Sequence, residues 1–319
     1  MTLTPVAVLG WGRWGRTVAA AIKATPGISI AAVISAKPDL KQDLTDSIPV
    51  FPTWREAIDR AEAGGIVLAV PPAVQPAIAI DLIENRIPVM LEKPMAMTVE
   101  DAAAIENAAR TYGFAGLVDH LHLYAPAFRA LTEALAGTSG PRKIRTSAGA
   151  RGPFRAGWSP LWDWAGHDLA MVLSAVDSDP IDLRAGLETE IVEDGKAYRN
   201  YRIDLTFRDG TQAVLHVGNA FAGKTREFCV EADGSELCYR EDDGSNISLS
   251  IDGVRRTDIA TGNKSRPLNA ALIAFAARVA DGGGIDDVIL GTDIVRLIDA
   301  AEKSTQSGDA VAPMLDRRR

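Results

Sequence analysis

The chain has 319 residues, of which 47% are hydrophobic and 24% are charged. This composition is typical of a globular protein and excludes a disordered, fibrous or disulfide-stapled one. Because the length exceeds what one hydrophobic core usually supports, we expect two domains. The 34 basic and 42 acidic residues give a net charge of −8. A chain of that sign repels phosphate backbones at long range, which argues against nucleic acid as a partner.

The cysteines and the first residues bear on the cellular compartment. Cys229 and Cys238 lack the spacing of a zinc or redox motif, so we interpret them as two reduced thiols, which favours the cytosol. The N-terminal apolar run has no basic segment before it and is interrupted by Gly10 and Gly12, so we expect no signal peptide. No apolar stretch approaches the roughly 20 residues of a membrane helix. The sequence therefore predicts a soluble, cytoplasmic protein with no membrane partner.

Up to residue 120, short apolar runs alternate with segments of helical character, and Thr53 and Glu56 form a capping box at the start of one helix. In chain order the predicted elements are strand Val6–Leu9, helix Thr17–Ala24, strand Ile28–Ile34, helix Thr53–Ala63, strand Gly65–Val70, helix Gln75–Asn85, strand Val89–Leu91, helix Val99–Tyr112 and strand Ala115–Val118. Strands this short and apolar, alternating with helices, predict an α/β fold with a doubly wound parallel sheet.

After residue 120 the pattern changes to strands separated by Asp-Gly turns. A strand is predicted at Thr146–Ala150, further strands within 181–259, and helices at Pro160–Ala175, Asn269–Asp281 and Asp293–Ser304. The Asp-Gly pairs are Asp194-Gly195, Asp209-Gly210, Asp233-Gly234, Asp243-Gly244 and Asp252-Gly253. Because this dipeptide favours tight hairpins, we expect a mainly antiparallel sheet in an α+β domain. We therefore divide the chain into a dinucleotide-binding domain, 1–120, and a substrate-binding domain, 121–319.

A glycine motif follows the first predicted strand and opens the first helix. It reads Gly10-Trp11-Gly12-Arg13-Trp14-Gly15, the G-x-G-x-x-G pattern of dinucleotide sites. The first glycine permits a tight turn, the second lets a pyrophosphate approach the backbone, and the third lets the helix pack on the strand. The helix N-terminus supplies free N–H groups for the anion. We interpret the motif as a dinucleotide site rather than a merely structural turn.

The end of the second strand bears on cofactor choice. Sites for a bare ribose 2′-hydroxyl usually carry an acid about 20 residues past the motif. Ser35 stands there instead, with Lys37 nearby, and a hydroxyl with a cation suits a 2′-phosphate. We therefore expect NADP or NAD, with NADP preferred. The alternative is that Lys37 is a solvated loop residue.

Two groups of residues are typical of catalysis on an alcohol. Glu92-Lys93-Pro94 follows the strand Val89–Leu91, at the edge of an α/β sheet where ligands bind. Asp163 and His167 are four residues apart and share a helix face, so a carboxylate can steady an imidazole that abstracts a proton. Taken singly, these residues could be a surface lysine, a first-turn acid and a core histidine. Together they favour a catalytic set.

His120, His122 and Tyr124 alternate after the last strand of the first domain, so in an extended chain they point one way. A metal site would need further ligands, and no acid lies at metal-ligand spacing. We interpret the three side chains as lining of a substrate pocket and expect no metal.

In order and spacing, these motifs resemble the Gfo/Idh/MocA family of glucose-fructose oxidoreductases and inositol dehydrogenases. The resemblance covers nearly the whole chain and implies a Rossmann domain followed by an open, mainly antiparallel sheet through which subunits form a homodimer or homotetramer. It also implies hydride transfer at a sugar or cyclitol carbon, with Lys93 and His167 around the reacting oxygen and Asp163 assisting. The residues that it adds to the cofactor site are Val70, Pro71, Gln75, Glu92, Lys93 and Pro94, and those at the substrate are His120, His122, Tyr124, Arg151, Trp162 and Asp168.

The chain departs from the family pattern at three positions. Members often carry an acid at Ser35, a histidine at Gln75 and an aspartate at Ala170, where Asp168 compensates in part. The string Leu161–Asp168 is similar to that of nucleotide-sugar dehydrogenases acting at the sugar 3-position, so an amino-sugar or uronic-acid nucleotide is one candidate substrate. Arg151 and Arg155 would then meet a carboxylate or phosphate, or else are exposed loop cations. The rival functions are an imine or dihydrodiol dehydrogenase and a non-catalytic, cofactor-binding regulator.

Overall fold

The computed structural model describes residues 3–36, 48–155, 157–242, 246–256 and 266–315. Lys37 and the predicted turn at Asp243-Gly244 lie outside the described residues. The chain forms two compact units, Met1–Leu121 with Pro267–Thr292 and His122–Arg266 with Asp293–Arg319. The chain passes from the first unit to the second after Leu121, next to the predicted domain boundary at 120. Residues 267–292 belong to the first unit again, which that prediction did not include.

The first unit contains a six-stranded parallel sheet covered by helices, as predicted. Its elements are β1 Thr4–Leu9, α1 Arg13–Lys23, β2 Ile28–Ile34, β3 Val50–Phe51, α2 Trp54–Ala61, β4 Gly65–Leu68, α3 Gln75–Glu84, β5 Val89–Leu91, α4 Val99–Tyr112 and β6 Gly116–Val118. The strand order is β3-β2-β1-β4-β5-β6. Because β1 pairs in parallel with both β2 and β4, the order reverses beside β1, and ligands of such sheets bind at this reversal.

Thr53 is the N-cap of α2: its hydroxyl accepts a hydrogen bond from the Glu56 backbone N–H at 3.3 Å, which is one of the two bonds of the predicted capping box. Strand β3 has only two residues, and no pattern in the sequence predicted it.

Helix α7, Pro267–Asp281, returns to the first unit, where Asn269 Nδ2 donates to Thr25 Oγ1 at 2.7 Å. Its Phe275 is fully buried.

The second unit contains an eight-stranded sheet of order β14-β13-β12-β11-β7-β10-β9-β8, in which β7 and β10 are parallel and the other neighbours antiparallel. Its strands are β7 Lys143–Arg151, β8 Pro180–Glu193, β9 Lys196–Phe207, β10 Gln212–Gly218, β11 Ala220–Ala232, β12 Ser235–Asp242, β13 Asn246–Ile251 and β14 Val254–Arg255. Helices α5 Pro126–Leu135 and α6 Pro160–Ser174 belong to this unit, and α8 Ile285–Ser307 supplies residues to both units.

The Asp-Gly turns connect the strands as predicted. Asp194 and Gly195 take φ values of 50° and 72° between β8 and β9, the left-handed conformations that a two-residue hairpin turn requires. Asp233-Gly234 and Asp252-Gly253 take the same form between their strands. Asp209-Gly210 lies in the longer connection between β9 and β10.

The prediction of two reduced thiols is wrong, because Cys229 and Cys238 form a disulfide. The turn at Asp233-Gly234 sets the register of β11 and β12 so that the two cysteines face each other. Their Cα atoms lie 4.2 Å apart. The spacing of nine residues resembles no motif, but hairpin register makes it a direct cross-strand pair.

Within the described ranges, no helix combines the length and the apolar character needed to cross a membrane.

Candidate functional site

The glycine motif forms the turn between β1 and α1, and its three glycines have different surroundings. Gly10 has a φ of +102°, and a Cβ there would lie 2.4 Å from the Ala69 carbonyl oxygen. A Cβ at Gly15 would lie 2.1 Å from the Gly10 carbonyl oxygen. Gly12 has nothing within 4 Å of the same position. The first and third glycines are therefore required by the protein's own backbone, whereas the second leaves space for a ligand.

Helix α1 begins at this open space. Gly12 is its N-cap, with no side-chain hydrogen bond to the cap and no acid in the first turn. The backbone N–H groups of the first turn are therefore available to an anion, which the helix dipole also favours. Together with the space at Gly12, this fits a dinucleotide pyrophosphate.

The residues assigned to the rest of the cofactor site lie beyond the ends of the central strands. Ser35 follows β2, and its N–H donates to the Phe51 carbonyl at 2.9 Å. Val70 and Pro71 follow β4, and Pro71 is exposed. Trp11 is partly buried and Arg13 is exposed.

Gln75, at the start of α3, holds the segment that follows β5. Its side-chain amide donates to the carbonyl oxygens of Glu92, Pro94 and Met95 at 2.7, 3.2 and 3.1 Å, and its carbonyl accepts the Glu92 N–H at 3.0 Å. The Gln75 side chain is buried. This clamp fixes the backbone on both sides of Lys93.

The side chain of Glu92 connects this segment to the glycine motif. It accepts a hydrogen bond from the Trp14 indole and another from the Lys93 backbone N–H at 3.1 Å. Burial raises the pKa of Glu92 to about 7, although the Trp14 hydrogen bond and the Lys93 charge both lower it. Trp14 therefore has a structural partner as well as its predicted place at the cofactor.

Asp119 follows β6 directly and is 1% exposed. Burial raises the pKa of Asp119 well above the usual carboxyl range, and the neighbouring Glu92 adds to the effect. His120 is buried next to it, and burial together with the Lys93 charge lowers the pKa of His120 to about 3. His120 is therefore neutral at neutral pH, and Lys93 is the cation of this group.

In the second unit, α6 presents His167 to His122. Leu121–Tyr124 is a 3-10 turn and not an extended run, so the condition under which His122 and Tyr124 would point one way is not met. The His122 and His167 rings meet edge to face with centroids 5.1 Å apart. His122 Nδ1 shares a hydrogen bond of 2.8 Å with the Tyr239 hydroxyl on β12, and burial raises the pKa of that phenol.

Asp168 is fully buried and forms an ion pair of 2.6 Å with Arg226 Nη1 on β11. Arg226 is itself buried. The structure therefore gives this carboxylate an internal partner, and its contact with substrate stays a prediction. Trp162, also assigned to the substrate, is 4% exposed.

Asp163 lies one turn before His167 on α6, as the spacing predicts, and is bonded to Arg155. The Arg155 Nε donates to both carboxylate oxygens at 2.7 Å. Arg151 pairs with Glu193, and its guanidinium carbon lies 3.8 Å from the centroid of the Tyr198 ring. Both arginines, Arg151 at the end of β7 and Arg155 after it, therefore have partners within their own unit.

Among the described residues, one cluster brings metal-ligand atoms within 4.8 Å of one another: Cys229, Glu236 and Cys238. The disulfide occupies both sulfur atoms, so the cluster offers one carboxylate and no thiolate.

Asp119, Arg226 and Tyr239 were not among the residues predicted for the site. Asp119 could have been found from the sequence, because it directly follows the predicted strand β6 just as Glu92 directly follows β5, and the ends of these two strands lie at the same edge of the sheet. Arg226 and Tyr239 lie in hairpin strands far along the chain from α6, and no spacing in the sequence indicates their contacts.

Residues 4–120 match the family model described as the GFO_IDH_MocA oxidoreductase family with an NAD-binding Rossmann fold. The match confirms the resemblance inferred from the motifs. No curated protein matches the chain.

Solved structures match along nearly the whole chain. One from Magnetospirillum magnetotacticum, assigned as an oxidoreductase, is 27% identical with a TM-score of 0.80 and covers 93% of this chain and 99% of its own. A UDP-N-acetylglucosamine 3-dehydrogenase from Acidithiobacillus ferrooxidans is 20% identical, with a TM-score of 0.78, covering 96% and 99%. A myo-inositol dehydrogenase from Corynebacterium glutamicum is 18% identical, with a TM-score of 0.79, covering 98% and 99%. At their identities the last two show the fold alone.

Proposed function

We propose that the chain is an NAD(P)-dependent dehydrogenase of the Gfo/Idh/MocA oxidoreductase family, whose model matches residues 4–120. The reaction is hydride transfer between the nicotinamide and a hydroxyl-bearing carbon of a sugar, cyclitol or nucleotide sugar. The cofactor supplies the redox chemistry when bound, and the protein supplies placement and proton transfer.

The observation that carries this proposal is the glycine turn before α1. It has space where a Cβ at Gly12 would lie, and backbone packing where Cβ atoms at Gly10 and Gly15 would lie. The open space at Gly12 is where a pyrophosphate would approach the backbone. Gln75 then fixes Lys93 at the same edge of the sheet, beyond β5.

We assign two side chains to the chemistry. Lys93 donates to the reacting oxygen and stabilises the charge that develops on it in the transition state. His167 removes or returns the hydroxyl proton. Its ring is held edge to face by His122, which in turn bonds to Tyr239. Asp163 assists from one turn earlier, and its carboxylate is held by Arg155.

The test is turnover of candidate substrates with both cofactors. A thermal-shift screen of sugars, cyclitols and nucleotide sugars with NAD and NADP identifies ligands, since a ligand of the native state raises the melting temperature. We expect Lys93→Ala and His167→Ala to lower kcat by about 10²–10⁴-fold and to leave cofactor affinity near that of the native protein. Lys303→Ala, at an exposed position, and His216→Ala, at a half-buried one, are the matched controls.

Two results would refute these assignments. Full turnover in both variants would remove Lys93 and His167 from the mechanism. A protein that binds cofactor, oxidises none of these compounds and binds a protein partner would instead be a regulator of the same fold. If the protein turns over only an imine or a dihydrodiol, it is still a dehydrogenase, but its substrate class differs from the one proposed.

We further propose NADP as the preferred cofactor, because Ser35 replaces the usual acid. A lower Michaelis constant for NAD would overturn this preference. We also propose that copies of the chain assemble into a homodimer or homotetramer through the eight-stranded sheet, as the family resemblance implies. Sedimentation at micromolar concentration that gives only a monomer would contradict the assembly.

A further inference from the structure

Two carboxyl groups lie beside Lys93 at the edge of the parallel sheet. Leu91 pairs with Val118 as the last register pair of β5 and β6, so the next residues on each strand, Glu92 and Asp119, are neighbours. The Asp119 N–H donates to the Leu91 carbonyl at 2.7 Å, which fixes the Asp119 backbone. The Asp119 and Glu92 side chains lie within hydrogen-bonding reach of each other.

The two carboxyl groups differ in the donors available to them. Glu92 accepts from the Trp14 indole and from the Lys93 N–H. Neither carboxylate oxygen of Asp119 has a hydrogen-bond donor among the described residues, and both are buried. An ionised carboxylate with no donor in a buried position costs several kcal/mol. A neutral carboxylic acid in the same place supplies its own proton, and Glu92 is the acceptor within reach.

We propose that Asp119 is a positioning residue for Lys93: as a neutral acid it donates its proton to Glu92, and the Glu92 carboxylate held in this way is the counter-charge of the Lys93 ammonium. The raised pKa of Asp119 agrees with this assignment, since burial and the Glu92 charge both keep the proton on it. The pair then carries one negative charge, which matches the single positive charge of Lys93.

The other groups packed against the pair leave this balance unchanged. Trp14 from α1 and Gln75 from α3 are uncharged hydrogen-bonding groups. His120 faces Lys93, and its pKa of about 3 keeps it neutral. Among the described residues, Lys93 is thus the cation that acts on both carboxyl groups.

The role assigned to Lys93 rests on the proposed function, but the state of the pair can be measured without turnover. Trp14 donates directly to Glu92, so its indole N–H signal in protein labelled with [15N]tryptophan reports the ionisation of Glu92. The chain has six tryptophans, and Trp14→Phe identifies the signal. The experiment follows this signal against pH in the native protein and in variants of Asp119, Glu92 and Lys93.

We expect a midpoint at a pH of about 7 in the native protein. Asp119→Asn keeps a donor toward Glu92 and leaves the midpoint unchanged. Asp119→Leu has a similar branched shape, a larger volume and no donor, and we expect the midpoint to rise by about 1 to 2 pH units. Lys93→Met removes the cation and also raises the midpoint. Glu92→Gln abolishes the titration.

Other outcomes overturn the proposal. If Asp119 were ionised, Asn and Leu would each remove a negative charge and the midpoint would fall in both variants. A midpoint that is the same in all Asp119 variants would show that the carboxyl groups do not interact. An unchanged midpoint in Lys93→Met would show that the Lys93 charge does not act on the two carboxyl groups. If Asp119→Leu does not fold, as judged by the other indole signals, the Asn variant still distinguishes a neutral from an ionised Asp119.

A turnover measurement adds the functional consequence once a substrate is known. We expect Asp119→Leu to lower kcat with little change in the Michaelis constant of the cofactor and to shift the pH profile upward, and Asp119→Asn to restore both. Failure to find a substrate would affect the proposed function and leave the NMR result valid.

Discussion

Gln75 is the residue whose replacement best tests how the Lys93 segment is held. Gln75→Ala removes the donor to three carbonyl oxygens and the acceptor of the Glu92 N–H, at a position that is 1% exposed. The amide has two N–H groups, so about three hydrogen bonds are lost in all. At about 0.5–1.5 kcal/mol each, the free energy of unfolding should fall by about 1.5–4.5 kcal/mol. A buried N–H left without an acceptor places the value at the upper end of that range.

The assay is urea unfolding followed by fluorescence and far-ultraviolet circular dichroism. Gln212→Ala, at an exposed position of β10, is the control and should change the free energy of unfolding by less than about 0.5 kcal/mol. Gln75→Glu keeps the acceptor for Glu92 but places an oxygen against three carbonyls, so it should destabilise at least as much as alanine. If Gln75→Ala matches the Gln212 control, the clamp contributes no stability and the reasoning is refuted.

Two further predictions concern the glycine motif and the buried ion pair. Gly12→Ala should fold normally and lose cofactor affinity, whereas Gly15→Ala should destabilise the fold itself, because its Cβ would lie 2.1 Å from the Gly10 carbonyl oxygen. Unfolding curves and cofactor titration distinguish the two variants. Equal stability of the two variants would contradict the assignment. Arg226→Met should lower the free energy of unfolding by about 3–5 kcal/mol, since it leaves the Asp168 carboxylate buried without its partner. Adding Asp168→Leu should recover much of that loss, and an additive loss in the double variant would show that the pair is not coupled.

Much of the first unit follows from local sequence. Apolar runs such as Ile28–Ile34 and Val89–Leu91 have the bounds that the structure gives them, because strands buried on both faces admit few polar residues. The glycine motif likewise has its expected geometry, since only glycine allows the close backbone approaches at Gly10 and Gly15. These features depend on residues that are adjacent in the chain, so they can be predicted from the sequence alone.

Some features depended on register and could not be read from the chain. The disulfide between Cys229 and Cys238 exists because a two-residue turn places them opposite each other. The 3-10 turn at Leu121–Tyr124 redirects His122 toward His167, where an extended chain would have carried it along a strand. In both cases a change of one residue in register or one turn in geometry moves a side chain to another face.

The sequence by itself determined the doubly wound sheet, the hairpins, the dinucleotide turn and the identity of Lys93, Asp163 and His167 as candidates. Tertiary structure decided the partners of the polar groups: Arg226 for Asp168, Arg155 for Asp163, and the Trp14 indole for Glu92. The physical reason is the cost of burying a charge. A buried carboxylate must find a donor or keep its proton, and which of these happens depends on neighbours that only the folded chain brings together.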